Sequence, residues 1–288
     1  MKFKDLDNLA KLLDDFQYRH RFIGFIVSVI KRYGDDRGGR SAALLAYYVF
    51  LSLFPLLYWL SLLSNFLNSY FPGASNSLIH GATSYFPVLG QQLAMVAHGH
   101  HYSAGGIIAS SLVTLYGARG TAMVFREIVN DVFAIPLKDR VGFPQNWLRG
   151  LGIVVIGGSG FVLTAAGYAW ALAQGHSVLF RILIALVGFF VLTAVFSAIL
   201  KLSLPSKYKV RSIIAGATSM AIALSALQLV GGFIVTHELK HYTNAYSVLF
   251  ATTLGLMAWL YLEAQILLYS IETTFVASKH LWPRHLFD

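Results

Sequence analysis

The sequence predicts an all-helical integral membrane protein, a single bundle of six transmembrane helices. Of its 288 residues, 56% are hydrophobic and only 12% are charged, whereas soluble domains are about 25% charged. Several apolar stretches also reach the roughly 20 residues that a helix needs to cross the hydrocarbon core of a bilayer. A soluble monomer could not bury so much apolar surface, so lipid replaces water as the main solvent.

Six apolar stretches are bounded by polar or turn-forming residues. They predict spans at residues 41–66, 104–125, 150–174, 178–203, 210–235 and 247–272. Residues 67–103 contain prolines but no Lys or Arg, which favours an outer loop with a short interfacial or re-entrant helix. Ala217, Ala221 and Ser225 recur every four residues, a spacing typical of closely packed membrane helices. Residues 41–288 are therefore predicted to form one transmembrane domain.

The positive charges predict an orientation. Of the 22 Lys and Arg residues, 20 fall in the tails and loops of one side and 2 in the loops of the other. Cytoplasmic loops carry the excess of Lys and Arg in membrane proteins, so both termini are predicted in the cytoplasm. The net charge of +9 is then a topology signal, and nucleic-acid binding loses its main support.

The N-terminal segment, residues 1–40, mixes apolar and charged residues ahead of the first span. Its large apolar side chains recur among Lys, Arg and Asp: Leu9, Leu12, Leu13, Phe16, Phe22, Ile23, Phe25, Ile26, Val29 and Ile30. This pattern predicts an amphipathic helix lying in the inner membrane interface. A helix packed on the cytoplasmic end of the bundle would show the same pattern, and the sequence leaves both arrangements open.

Four segments resemble, in order, the YihY/BrkB family of bacterial inner-membrane proteins. They are SAALLAYYVFLSLFP at 41–55, YGARGTAMVFREIVNDVF at 116–133, LPSKYKVRSIIAGA at 204–217 and AWLYLEAQILLYSIE at 258–272. The resemblance implies a six-helix fold in the bacterial cytoplasmic membrane. It implies little established chemistry, since members have been linked variously to virulence, to a ribonuclease activity and to lipid or envelope export.

Ionisable residues inside predicted spans are the best pointers to function, because each costs about 2.5 to 3.5 kcal/mol at mid-helix. The second span and its inner end carry Arg119, Arg126 and Glu127, and the sixth span carries Glu263 and Glu272. At about 1.5 Å per residue, Arg119 and Glu263 lie at similar depths, roughly 22 and 24 Å from the outer ends of their helices. We therefore predict an Arg119–Glu263 pair and a second, more hydrated Arg126–Glu272 pair. Either pair could line a substrate path or only hold two helices together.

Tyr261, Gln265, Tyr269 and Glu272 fall close to one face of the sixth span. A polar stripe within the membrane faces protein or water rather than lipid, so it is either the wall of a substrate cavity or an interhelical hydrogen-bonding surface. Glu263 lies nine residues before Glu272, about half a turn out of phase, and belongs to another face.

Histidines dominate the predicted outer face, and five of them could supply nitrogen ligands to a metal: His98, His100, His101, His237 and His241. The last two belong to a His-Glu-Leu-Lys-His sequence that matches the zincin pattern. Lys240 places a cation within that pattern, which also lies at the end of a span rather than inside a helix. We interpret the histidines as neutral loop residues, and predict no metal and no cofactor.

The sequence predicts no enzyme. It has no cysteine nucleophile, P-loop, dinucleotide fingerprint or nucleophile elbow. The leading hypothesis is a transporter of lipids or lipid-like envelope amphiphiles that lacks its own ATPase, with membrane lipids, anionic ones included, as partners. A transporter or channel for a small solute or ion and a non-catalytic scaffold are the alternatives. The sequence leaves homo-oligomerisation open.

Overall fold

The computed structural model describes residues 21–53, 104–142, 144–173, 178–205, 208–237 and 245–279. Within these ranges the chain is helical, with short turns and no strand. The helices are α1 (Arg21–Asp35), α2 (38–53), α3 (Ala104–Val132), α4 (Gln145–Ala173), α5 (Val178–Ser203), α6 (Val210–His237) and α7 (Ala245–Lys279), with a 3₁₀ turn at Leu137–Asp139. The predicted all-helical class is confirmed for this part of the chain.

Three of the described helices contain stretches that are long and apolar enough to cross a membrane. They are Ile182–Ser203 in α5, Val210–Gly231 in α6 and Thr253–Lys279 in α7, and they overlap the last three predicted spans. In α5 only 11% of the most apolar window is buried inside the protein, as expected for a helix whose apolar surface faces lipid. The number of six spans and their orientation stay predictions, and residues 54–103 lie outside the described residues.

Neighbouring helices along the chain pack side by side from α3 through α7, and α7 also contacts α3 and α1. Close approach depends on small residues. A methyl group at Gly216 of α6 would overlap Thr274 and the Ser270 carbonyl of α7, and the Ser270 hydroxyl donates to the Gly216 carbonyl across 2.6 Å. Ala217 and Ala221 are fully buried, which confirms close packing along this stripe.

Helix α1 packs on α7, which is the second of the two arrangements predicted for the N-terminal segment. Its inner face carries Ser28 and Val29, both buried. Its outer face exposes Phe22, Ile26 and Ile30, spaced one turn apart. The described part of the segment therefore covers the bundle with one face while keeping an apolar stripe outward, as an interfacial helix would.

Candidate functional site

The predicted Arg119–Glu263 pair does not form. Glu263 Oε1 instead accepts hydrogen bonds from the Trp259 indole nitrogen at 2.8 Å and from Gln228 Nε2 of α6 at 3.3 Å. Arg119 is exposed and lines a groove of about 560 Å³ beside Tyr48 of α2. The two helices present these charges to different neighbours, α7 to α6 and α3 to α2. Helical rise estimates how deep a residue lies but not which neighbour it faces.

Glu263 lines a cavity of about 250 Å³ between α2, α4, α5, α6 and α7. We call it the Glu263 cavity. Gln228 is the second polar residue of its wall, and all the other lining residues are apolar or glycine: Leu45, Val49, Gly157, Gly160, Leu192, Val195, Phe196, Ile199, Met220, Leu224, Leu260, Ala264 and Leu267. A carboxylate in such surroundings is costly unless it is hydrogen-bonded, which explains its two N–H donors.

The predicted Arg126–Glu272 pair is also absent. Arg126 is 3% exposed, and its Nη1 donates to the Asn146 carbonyl at 3.0 Å and to the Asn146 side-chain oxygen. It therefore ties the last turns of α3 to the first turn of α4. Glu272 is buried against α1, where Arg32 is its basic neighbour.

Arg32 joins three helices at a cluster that we call the α1–α7 junction. Its Nε lies 2.8 Å from Asp36 Oδ2 and 3.8 Å from Glu272 Oε2. Its Nη2 donates to the Val132 carbonyl at the end of α3 across 3.3 Å, where a cation complements the helix dipole. The guanidinium also lies over the Phe275 ring at 4.7 Å. Sequence reasoning missed Arg32 because it is one of many cations in the tail, although its i,i+4 spacing to Asp36 was a usable signal.

The predicted polar stripe of α7 does share one face, and α1 covers it. The Tyr269 ring stacks on Tyr33 with a centroid distance of 4.1 Å, and Gln265 lies beside the Tyr33 hydroxyl. The Tyr261 hydroxyl lies close to Gly39, at the start of α2. Of the two alternatives, the structure supports the interhelical surface, since α1 occupies the place where a cavity would lie.

A basic pocket of about 210 Å³ opens where α3, α4 and α5 meet. We call it the arginine pocket; its lining residues are Arg126, Asn130, Ile135, Asp139, Arg140, Val141, Arg149, Ser203 and Pro205. Arg140 Nη2 lies 2.7 Å from Asp131. Among the described residues no carboxylate pairs with Arg126 or Arg149, and the buried Arg126 Nε lacks a hydrogen-bond partner.

Such a cluster of planar guanidinium groups suits an anion with several oxygen acceptors, because each group offers a fork of N–H donors. Sequence reasoning singled out Arg126 but missed Arg140 and Arg149, which lie in the connection after α3 and in the first turns of α4. The sequence did place Arg140 and Arg149 in a loop rich in Lys and Arg, and this could have indicated a shared basic site. Only the hairpin of α3 and α4 brings them together.

The predicted outer-face metal candidates stay untested. His98, His100, His101 and His241 lie outside the described residues, and His237 ends α6 without a described side chain. Where side chains are described, no group of three or more His, Asp or Glu residues could hold a metal ion.

A sequence model of the family described as “Virulence factor BrkB” matches residues 29–285, nearly the whole chain. The match includes the α1–α7 junction, the Glu263 cavity and the arginine pocket. No curated protein and no solved structure matches the chain.

Proposed function

This chain belongs to the BrkB family of membrane proteins, and we propose that it moves an anionic lipid or lipid-like amphiphile across the membrane without an ATPase of its own. On this proposal the protein has six spans in the bacterial inner membrane, keeps both termini in the cytoplasm and carries out no catalysis. The headgroup binds in the arginine pocket, and lipids are the partners.

The observation that carries the proposal is the charge of the arginine pocket. Arg126 is buried beside Arg149, and within the described residues neither forms an ion pair. Asp139 also lines the pocket, but it is exposed and pairs with neither arginine. A buried cation without a countercharge is strongly unfavourable. An anionic headgroup would supply that countercharge and accept the hydrogen bonds that Arg126 Nε does not make.

The place of the pocket in the bundle supports the same reading. It lies where α3 and α5 end and α4 begins, which the distribution of Lys and Arg predicts to be the cytoplasmic end. Cationic pockets at that depth meet the anionic lipids of the inner leaflet. The inner leaflet would therefore be the side from which the substrate is loaded.

A channel for small solutes or ions receives less support. Permeation of ions requires polar groups or water along the path, whereas the Glu263 cavity is walled almost wholly by apolar side chains. A non-catalytic scaffold would tolerate loss of the unpaired arginines provided that the protein still folds, so the same experiment addresses it.

The test is lipid translocation in phosphatidylcholine vesicles that contain the purified protein and a trace of fluorescent phosphatidylglycerol. Chemical quenching of the outer leaflet reports how fast inner-leaflet lipid appears outside. We expect wild type to move phosphatidylglycerol, and expect the rate at low substrate to fall about tenfold in Arg149→Gln and in Arg126→Gln, since each loses a charge-assisted contact.

The matched control is Lys201→Gln, which removes an exposed cation from α5 outside the pocket and should leave the rate unchanged. Thermal unfolding of each variant separates loss of folding from loss of transport. Equal rates for wild type, the two arginine variants and the control would contradict the proposal and favour the scaffold.

A further inference from the structure

We propose that the Glu263 cavity binds a single-chain apolar molecule that ends in a primary amine. This site is separate from the arginine pocket in both position and charge. The inference does not depend on the proposed transport, because binding can be measured on the purified protein alone.

The position of the Glu263 carboxylate is set by two helices. Trp259 donates from one turn earlier on α7, and Gln228 donates from α6. The absence of a side chain at Gly231 makes room for the Trp259 ring, since a methyl group there would overlap it. Both donors converge on Oε1, so one carboxylate oxygen is held by the protein and the carboxylate cannot rotate freely.

The polar groups that remain in the cavity are acceptors. Both hydrogen bonds that Glu263 accepts end on Oε1, and the buried Gln228 Oε1 has no hydrogen-bond partner. Both Gln228 and Glu263 line the cavity. An acceptor without a donor calls for a ligand that donates, and beside a carboxylate a cation makes a stronger, charge-assisted hydrogen bond than a neutral hydroxyl group. An ammonium group offers three donors and the opposite charge.

The apolar walls of the cavity determine the chemistry of the rest of the ligand. Its walls are apolar, so water gains few hydrogen bonds there and an alkyl chain is the favoured occupant. At about 30 Å³ for a water-sized group, a volume of about 250 Å³ holds roughly eight such groups. A chain of about eight carbons with its amine at Glu263 would therefore fit.

The test compares three probes of equal chain length, octylamine, octanol and octanoate, on the full-length protein in detergent. Binding is measured by the shift of the unfolding temperature as each probe is titrated. We expect octylamine to bind most tightly and octanoate not to bind. In Glu263→Gln, which keeps the shape of the side chain, we expect octylamine affinity to fall about tenfold or more.

The matched control is Glu127→Gln, an exposed glutamate outside this cavity, which should bind octylamine like wild type. A second variant keeps the carboxylate and reduces the volume of the cavity: Gly157→Val adds bulk to the wall, and we expect octylamine affinity to fall more than butylamine affinity.

Three outcomes would overturn the inference. They are equal affinity for octylamine and octanoate, octanol binding as tightly as octylamine, and octylamine binding that survives in Glu263→Gln. If Glu263→Gln fails to fold, the comparison of octylamine with octanol and octanoate on wild type still decides the headgroup preference, and Gly157→Val still tests whether the alkyl chain lies in this cavity.

Discussion

The Arg32 side chain of α1 reaches Glu272 of α7, with Nε and Oε2 3.8 Å apart and the Glu272 side chain only 2% exposed. The same guanidinium contacts Asp36, in the turn that follows α1, and the Val132 carbonyl at the end of α3. One cation from the N-terminal segment thus lies beside the buried carboxylate of the last helix and joins α1 to α3 and α7.

Removing Arg32 should destabilise the protein. In Arg32→Ala, α1 loses its hydrogen bond to the Val132 carbonyl and its contacts with Phe275 and Glu272, so we expect a loss of about 1.5 to 3 kcal/mol, as for a hydrogen bond from a charged group. The measurement is thermal or denaturant unfolding in detergent. Arg40→Ala, which removes an exposed cation near the start of α2, is the control and should change stability by less than about 0.5 kcal/mol.

The double variant Arg32→Ala, Glu272→Gln tests whether the two side chains act as a pair. Because glutamine leaves no uncompensated charge, we expect the double variant to lose less stability than the sum of the two single variants. If the stability losses of the two single variants simply add up in the double variant, Arg32 and Glu272 do not stabilise each other.

Gly216 should not tolerate a side chain. We expect Gly216→Ala to cost about 1 to 3 kcal/mol, because overpacking forces α6 away from α7 and breaks the Ser270 hydrogen bond to the Gly216 carbonyl. Gly255→Ala on α7 is the control, since a methyl group there meets no atom within 4 Å. A difference in unfolding temperature between the two variants is the expected result, and equal temperatures would contradict the close approach.

Because the Tyr33 phenol is packed against α7, we expect the stability of the protein to depend on pH in the alkaline range. Burial raises the pKa of Tyr33 above its ordinary value of 10.0, and the neighbouring Gln265 opposes this shift only in part. Above about pH 10 the unfolded chain releases the phenol proton while the folded protein retains it, so stability falls as pH rises.

Tyr33→Phe should flatten this alkaline loss, measured as unfolding temperature between about pH 9 and pH 11. Tyr47→Phe, at an exposed position of α2, is the control. An alkaline profile of Tyr33→Phe identical to that of wild type would show that the Tyr33 phenol is not protected by α7.

The predicted orientation can be tested directly because the chain has no cysteine. A single Lys138→Cys substitution lies in the connection between α3 and α4, which is predicted to be cytoplasmic, and His98→Cys lies in the predicted outer segment. With a membrane-impermeant maleimide on intact cells, we expect His98→Cys to react and Lys138→Cys to react only after lysis. If Lys138→Cys reacted on intact cells and His98→Cys only after lysis, the predicted orientation would be wrong.

The helical class and the starts of the later helices were predictable from the sequence, whereas α7 extends seven residues beyond the predicted end at 272. The predicted spans 178–203, 210–235 and 247–272 begin within two residues of α5, α6 and α7, because the length of an apolar run and the polar residues that bound it are local properties. The shared face of the α7 stripe was also predictable, since it follows from the helical repeat alone.

Which polar groups meet was not predictable from the sequence. Arg119 and Glu263 lie at similar estimated depths, yet one faces a groove beside α2 and the other a cavity beside α6. Glu272 takes its cation from Arg32 in the N-terminal segment, and Arg126 shares its pocket with arginines that follow it along the chain. The physical reason is that rise along a helix is fixed by backbone geometry, whereas the rotation of each helix and its choice of neighbours depend on packing against the whole bundle.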